Sequence, residues 1–316
     1  MLGIDISKGD LVCTLLNGQT TTWEWTVPNT SDGVRQLLMA TDASIPWVLE
    51  PTGPYSRAVV TTAQQAGRDV FLAEPKRAKA FLRATSPRAK TDRVDSLGLA
   101  QYAQAVTLLP FPQKSETVEH IEQLLAARKG IGQSLTRLTQ QRDNLPYARK
   151  ALEPAITELR AQRDEIDRQL KAVGQSCQDL ADVTRRLLAV PGIGPVTAHA
   201  VAICLTTRIF RHPDQFVAYI GLDVQVRDSG RRQGTRRLSK QGDAELRRLL
   251  YLAAMANRRQ SDPENPFKQQ NERELAKGQT TTGALCAVAR KLARTCWSLH
   301  RHGTEYDPKR VNQQPG

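Results

Sequence analysis

The sequence predicts a mixed α/β domain over residues 1–107, an α-helical coiled-coil insertion over 114–184, and a mainly α-helical C-terminal domain over 185–305 with a tail at 306–316. Three observations predict this order. Short apolar runs of strand type crowd the first third of the chain. "LLPFPQ", Leu108–Gln113, then breaks the pattern with two prolines, and beyond it apolar residues recur at heptad spacing. From Arg185 apolar helical stretches return, separated by Gly- and Pro-containing turns.

Leu2–Ile6, Leu11–Leu16 and Thr22–Val27 read as three strands joined by polar, Gly-containing turns. A helix is predicted around Ser31–Thr41, a strand at Trp47–Glu50 and a helix near Tyr55–Gln65. A strand at Asp69–Ala73 and helices near Lys76–Arg83 and Thr91–Ala105 complete the unit. Three meandering strands followed by alternating elements predict a mixed sheet with helices packed on it. This is the element order of ribonuclease-H-like nucleases.

In the insertion, Ile121, Leu124, Arg128, Ile131, Leu135, Leu138, Arg142 and Leu145 follow a 3-4 spacing, and Ile156, Leu159, Arg163, Ile166, Leu170 and Val173 resume it after Pro146 and Pro154. Two readings fit these short, arginine-interrupted seams: a coiled-coil arm that dimerises, and an intramolecular helical hairpin. Further on, helices are expected at Ala244–Arg259 and Thr281–His300.

Lys and Arg number 45 against 32 Asp and Glu, a formal net charge of +13 in 316 residues. Such an excess points to a polyanionic partner, nucleic acid before membrane. No apolar run approaches the ~20 residues of a spanning helix, and "MLGIDIS" carries no signal-peptide pattern. The five cysteines are scattered without a C-x-x-C pair, which suits small buried thiols and offers no zinc site.

"RAKTDRVDSLGLA", Arg88–Ala100, sets two acids in a cationic stretch: seven basic residues lie from Lys76 to Arg93 (Lys76, Arg77, Lys79, Arg83, Arg88, Lys90 and Arg93), and Asp92 and Asp95 are the only acids from Lys76 to Asp95. At i and i+3 the two aspartates share one helix face. Asp5 lies in the first strand, on the face opposite Leu2, Ile4 and Ile6, although strands are poor in Asp. Glu50 falls at a strand end, where sites assemble in α/β sheets. With the first and fourth strands as neighbours and the last helix crossing their ends, the four carboxylates converge. Convergent carboxylates repel unless a cation holds them, and oxygen-only ligation suits Mg²⁺ or Mn²⁺. The plainer readings are an N-cap or ion-pair role for Asp92, with Arg93 or Arg88, and a solvated Asp95.

"VPGIGPVTA", Val190–Ala198, resembles a helix-hairpin-helix: Gly192 and Gly194 permit a tight turn, and the next helix starts with free N–H groups suited to phosphate. An ordinary turn within a core is the alternative. "VRDSGRRQGTRRLSKQGDAELRRLL", Val226–Leu250, holds eight cations, Arg227, Arg231, Arg232, Arg236, Arg237, Lys240, Arg247 and Arg248, against three acids. That density reads as salt-sensitive nucleic-acid contact. Ser239 sits among them, just ahead of a helix, where it caps, touches phosphate or attacks it. No histidine is near in sequence, so activation for attack would come from a metal or a carboxylate of the other domain.

"GIDISKG", "LEPTGPY", "KTDRVDS", "VPGIGPVTA", "YIGLDVQVRDSG" and "RLSKQGDAELRRLLYLAA" occur in the order of a bacterial mobile-element family. The chain resembles insertion-sequence transposases with a DEDD acid tetrad and a catalytic serine, relatives of the pilin-gene invertase and of bridge-RNA-guided recombinases. The resemblance implies a RuvC-like, Holliday-junction-resolvase-like first domain, a coiled-coil insertion and a C-terminal transposase domain. It sets the tetrad on Asp5, Glu50, Asp92 and Asp95 and the nucleophile on Ser239. It implies Mg²⁺ or Mn²⁺, a phosphoserine intermediate, target and donor DNA, a guide (bridge) RNA, dimers pairing into tetramers, and a cytoplasmic, nucleoid-associated protein. Asp243 stands where the family more often has asparagine.

Three alternatives are weighed against it. A junction nuclease would use the same tetrad to activate water. A non-catalytic nucleic-acid binder would carry the acids incidentally. "GIDISKG" also suits the phosphate turn of actin-like sugar kinases, but no second Gly-rich phosphate loop follows and the basic surplus fits a nucleotide kinase poorly.

Overall fold

The structure is a computed structural model that describes residues 1–18, 20–51, 53–85, 91–108, 110–111, 114–225 and 237–311. It divides into two compact units, Met1–Gln113 and Lys114–Gly316.

The first unit is built on a sheet of β1 (Leu2–Ile6), β2 (Asp10–Asn17), β3 (Thr20–Pro28), β4 (Trp47–Leu49) and β5 (Val70–Leu72), in the order β3-β2-β1-β4-β5. β1, β2 and β3 are antiparallel neighbours, whereas β1, β4 and β5 run parallel. Alternation along β1 sorts its side chains between the two faces. Leu2, Ile4 and Ile6 are buried in one cluster with Val34 and Leu37 of α1 (Ser31–Ala40) and Val59, Val60 and Ala63 of α2 (Pro54–Gln65). On the other face, Val48 joins Ala78 of α3 (Pro75–Thr85) and Leu99, Tyr102 and Ala103 of α4 (Asp92–Ala105).

α4 lies unusually close to β1. A side chain at Gly3 would run into the backbone of Ser96 and Ala100, so only glycine lets the helix reach the strand. Ser96 then shares a buried 2.7 Å hydrogen bond with Thr14 of β2. This contact fixes the height of α4 over the sheet and therefore of its first turn, which carries Asp92 and Asp95.

Among the described residues, the second unit is helical apart from one small ribbon. α5 (Glu116–Asn144) and α6 (Arg149–Gln175) pack against each other within the chain, so the heptad seams pair as an intramolecular hairpin. The arginines that interrupt the seams meet acids in it. Arg128 is bidentate to Asp167 of the facing helix, with Nη2 at 3.1 Å from Oδ2, and Arg142 reaches Glu153 at 3.5 Å. α8 (Pro195–Thr207) is apolar nearly all round because it is the central core helix, buried among α7 (Gln178–Leu188), α10 (Ala244–Arg259) and α12 (Thr281–His302). α9 (Pro213–Tyr219) and α11 (Pro266–Ala276) complete the core, and β6 (Val224–Gln225) pairs antiparallel with β7 (Arg237–Leu238). Part of the expected tail is folded as well: Tyr306 and Val311 pack on this core, and α13 spans Pro308–Val311.

No helix among the described residues is long and apolar enough to cross a membrane.

Candidate active site

The four candidate acids come from β1, the turn after β4 and α4 of the first unit. β1 carries Asp5 on the face that α4 covers. The parallel register pairs Ile4 with Leu49, so one further step sets Glu50 beside Asp5. β4 ends at Leu49, one residue earlier than expected, which leaves Glu50 in the turn that follows. Thr91 is the N-cap of α4, accepting from Val94 N–H at 3.3 Å, so Asp92 is not needed as the cap. Arg93 is drawn to Glu24 rather than to Asp92. Among the described residues none of the four acids forms an ion pair, and Arg88 lies outside them.

Asp92, Asp95 and Glu50 lie within charge range of Asp5. Burial, then the charges of Asp92, Asp95 and Glu50, push the Asp5 carboxyl up to about 6. The backbone N–H of Ile6 and the positive end of α4 act in the opposite sense, favouring negative charge at this spot. Asp5, Glu50 and Asp95 are half-buried and Asp92 is exposed. The donors are hard carboxylate oxygens, the ligand type of Mg²⁺ and Mn²⁺ rather than of zinc. Among the described residues no His, Cys, Asp or Glu group of three or more has closed to chelating distance.

The basic residues expected on α3 sort along its surface. Lys76, Lys79 and Arg83 are exposed, and Arg77 is exposed but paired with Glu74 at 3.4 Å. Lys90 lies, like Arg88, outside the described residues.

Ser239 belongs to the second unit, immediately after β7. Its hydroxyl donates to the Asp223 carboxylate, and its own N–H donates to the Asp223 carbonyl at 2.9 Å. A carboxylate of its own unit therefore touches the serine, where the sequence pointed only to a metal or to a carboxylate of the other domain. Asp223 went unnoticed because 16 residues separate it from Ser239; the two meet only through the β6–β7 ribbon, whose two-residue strands leave no periodic trace. Further backbone bonds hold the turn, Lys240 N to Gly221 O at 3.2 Å and Asp243 N to Tyr219 O at 2.9 Å. Lys240 takes a positive φ of 51°, an uncommon conformation for a side chain of its size.

Asp243 caps α10, accepting from Glu245 N at 2.9 Å and Leu246 N at 3.0 Å, so its departure from asparagine preserves the capping chemistry. Arg237 and Lys240 are exposed beside the serine. Arg247 donates to Ile220 O at 2.9 Å, and Arg248 pairs with Glu245, which also holds Lys129 at 3.1 Å. Arg227, Arg231, Arg232 and Arg236 lie outside the described residues. A cation that the sequence did not single out, Arg290 of α12, donates to Leu222 O at 3.0 Å and stands within charge range of Asp223.

The glycines of "VPGIGPV" differ in role. Gly192 has φ 79° and packs where a side chain would strike Asn257 and Ala253 of α10, while Asn257 donates to Pro191 O at 2.7 Å. Its need is packing. Gly194 is the exposed N-cap of α8, with no side-chain cap on the helix N–H groups.

The three buried cysteines, Cys13, Cys204 and Cys296, are pushed up to about 12 by burial, consistent with inert core thiols.

Comparison with known proteins adds an independent line. A family model described as "Transposase" matches residues 2–145, and one described as "Transposase IS116/IS110/IS902 family" matches residues 184–268. A pilin gene-inverting protein of Moraxella lacunata is 23% identical over 324 residues, covering 99% of this chain and 98% of that protein. A probable family 20 transposase of Pseudomonas aeruginosa is 36% identical over 125 residues, 39% of this chain and 37% of that protein. The transposase for insertion sequence element IS1328 of Yersinia enterocolitica is 32% identical over 130 residues, 40% of this chain and 38% of its own length. The chain thus matches little more than a third of the Pseudomonas and Yersinia proteins and nearly all of the Moraxella one.

Proposed function

The chain belongs to the IS116/IS110/IS902 family of transposases, DNA strand-transferring enzymes, and on that premise we propose that it cuts and rejoins DNA through a phosphoserine link at Ser239, aided by a divalent ion on Asp5, Glu50, Asp92 and Asp95. The observation that supports this reading is that Asp92, Asp95 and Glu50 lie within charge range of half-buried Asp5, whose proton affinity is raised first by burial and then by those charges. The β3-β2-β1-β4-β5 order, antiparallel on one side of β1 and parallel on the other, supports a ribonuclease-H-like, RuvC-like unit. Mg²⁺ or Mn²⁺ held there would offset charge on a phosphodiester in transition.

The chain's own residues do the rest. Ser239 attacks the scissile phosphate, the protein becomes linked to one DNA end, and the departing nucleoside oxygen leaves as a hydroxyl. The link conserves the phosphodiester, so rejoining by a new hydroxyl needs no ATP. Arg237 and Lys240 beside the serine, the arginines of 227–236, and Lys76, Lys79 and Arg83 on α3 would hold DNA backbones. The free N–H groups at Gly194 suit a phosphate as well. Tetrad and serine lie in different compact units. We assign their union to an assembly of dimers into tetramers on target and donor DNA, directed by a guide RNA from the element, in the bacterial cytoplasm.

The experiment uses the full chain, Mg²⁺, and a labelled duplex carrying the DNA that flanks the gene. A protein–DNA adduct resistant to denaturant is expected, absent in Ser239→Ala, Asp92→Ala and EDTA. Cleavage that survives Ser239→Ala but not Asp92→Ala would instead make the tetrad a water-activating nuclease. Sequencing RNA that co-purifies with the chain tests the guide: a single species encoded beside the gene is expected.

A further inference from the structure

We propose that Asp223 is the general base that takes the Ser239 proton as the serine attacks phosphorus. The proposal rests on Ser239 being the nucleophile. Serine is a weak nucleophile without a neighbour that accepts its proton, and that neighbour must lie within hydrogen-bond reach. Asp223 meets this condition within one compact unit, since the hydroxyl donates straight to Oδ1.

The arrangement is built independently of that bond. The Ser239 N–H to Asp223 carbonyl bond, the Val224–Leu238 and Gln225–Arg237 pairing, and the Lys240–Gly221 and Asp243–Tyr219 bonds already close the turn. The side-chain bond is therefore redundant for folding, and it orients the serine oxygen. The Gln241 N–H donates to the same oxygen at 3.3 Å, which leaves its proton directed at the carboxylate. The unusual φ of Lys240 fixes the residue next to the nucleophile, and strain of this kind gathers at sites that need a set geometry. Exposed Lys240 follows the serine and Arg290 stands within charge range of Asp223, so positive charge lies beside the hydroxyl.

The step balances. The Oγ–H bond breaks and its proton passes to Asp223. The Oγ–P bond forms, the P–O bond to the departing nucleoside breaks, and that oxygen takes a proton from water. In rejoining, a nucleoside hydroxyl attacks phosphorus and yields its proton to the hydroxide that the forward step left in solvent, the Oγ–P bond breaks, and Asp223 returns its proton to the Ser239 oxygen. The base thus serves both directions with no co-reactant beyond water.

The test measures the initial rate of Ser239-linked adduct on the labelled flanking-DNA duplex with Mg²⁺, using the full chain. Asp223→Asn keeps the acceptor oxygen but cannot take a proton; its rate is expected to fall ~100-fold or more with DNA affinity and melting temperature unchanged. Asp223→Ala is expected to be equally slow and to regain at least ~10-fold when formate is added, as a small carboxylate base can fill the space. An Asp223→Asn rate within threefold of the native chain overturns the proposal. So does a folded, DNA-binding Asp223→Ala that formate does not rescue, since a purely structural tie would behave that way. If Asp223→Asn does not fold, the formate response of Asp223→Ala decides. A native chain that yields no adduct, or a Ser239→Ala chain that still does, sinks the nucleophile reading and this proposal with it.

Discussion

Asp5 is a residue whose charge opposes the fold that positions it. Its carboxyl is pushed up to about 6, against an ordinary value of 3.8, first by burial and then by Asp92, Asp95 and Glu50. A group raised in this way holds its proton more tightly when folded, so its contribution is fully present below pH 4 and is lost as pH rises through 6. At neutral pH without divalent ions, Asp5→Asn is therefore expected to raise stability, by on the order of 1 kcal/mol after allowance for solvent screening. Thermal melts in EDTA at pH 7.5 and pH 4.5 would check it: the variant should melt higher at the first and level with the native chain at the second. Added Mg²⁺ should raise the melting temperature of the native chain and leave the variant unmoved. Gly3 is the silent partner in this geometry, because its missing side chain lets α4 approach β1. Gly3→Ala should lower stability by ~1–3 kcal/mol and reduce Mg²⁺-dependent strand cleavage, read by denaturant melts and by gel. The acids themselves were legible, since an Asp in a strand and two acids in a basic stretch break composition rules. Gly3 was not, because nothing local distinguishes a glycine that a helix crosses.

At the scale of the element, caps and seams explain the second unit. Asp243 starts α10 by accepting two backbone N–H groups. Asp243→Ala should cost about 1 kcal/mol in urea unfolding, whereas Asp243→Asn should stay within a few tenths. The seams of α5 and α6 were legible as periodicity, but their partner was not: a heptad pattern reads alike whether the facing helix belongs to the same chain or another. The acids decide it locally. Arg128 finds Asp167 and Arg142 finds Glu153, both across the hairpin. Ile156 and Leu170 are fully buried in this unit, so Leu170→Ala is expected to destabilise by ~2–5 kcal/mol, measured by the same melts. Asp223 belongs to this scale too, since the β6–β7 pairing and the backbone bonds beside it bring it to Ser239.

For the whole molecule the governing quantity is a net charge of +13. DNA binding should weaken steeply with salt, with log K linear in log salt, as counterions released from phosphate are taken back. Replacing Lys76, Lys79 and Arg83 together by alanine should lower that slope by up to ~3, with little change in preference among DNA sequences. Fluorescence anisotropy at several salt concentrations would measure both. Arg248 is paired with Glu245, so its replacement should change the slope least.

By itself the sequence determined the mixed α/β and helical halves of the fold, and it offered the acids, the serine and a polyanionic partner as candidates, because periodicity, composition and charge are carried by each stretch of chain alone. Tertiary structure decided which groups lie together: Glu50 beside Asp5 through parallel register, Asp92 and Asp95 over the sheet through Gly3, and Asp223 on the Ser239 hydroxyl through a two-residue ribbon. The physical reason is that proximity between distant residues is set by backbone pairing and close packing of the whole chain, and neither leaves a mark on any short run of residues.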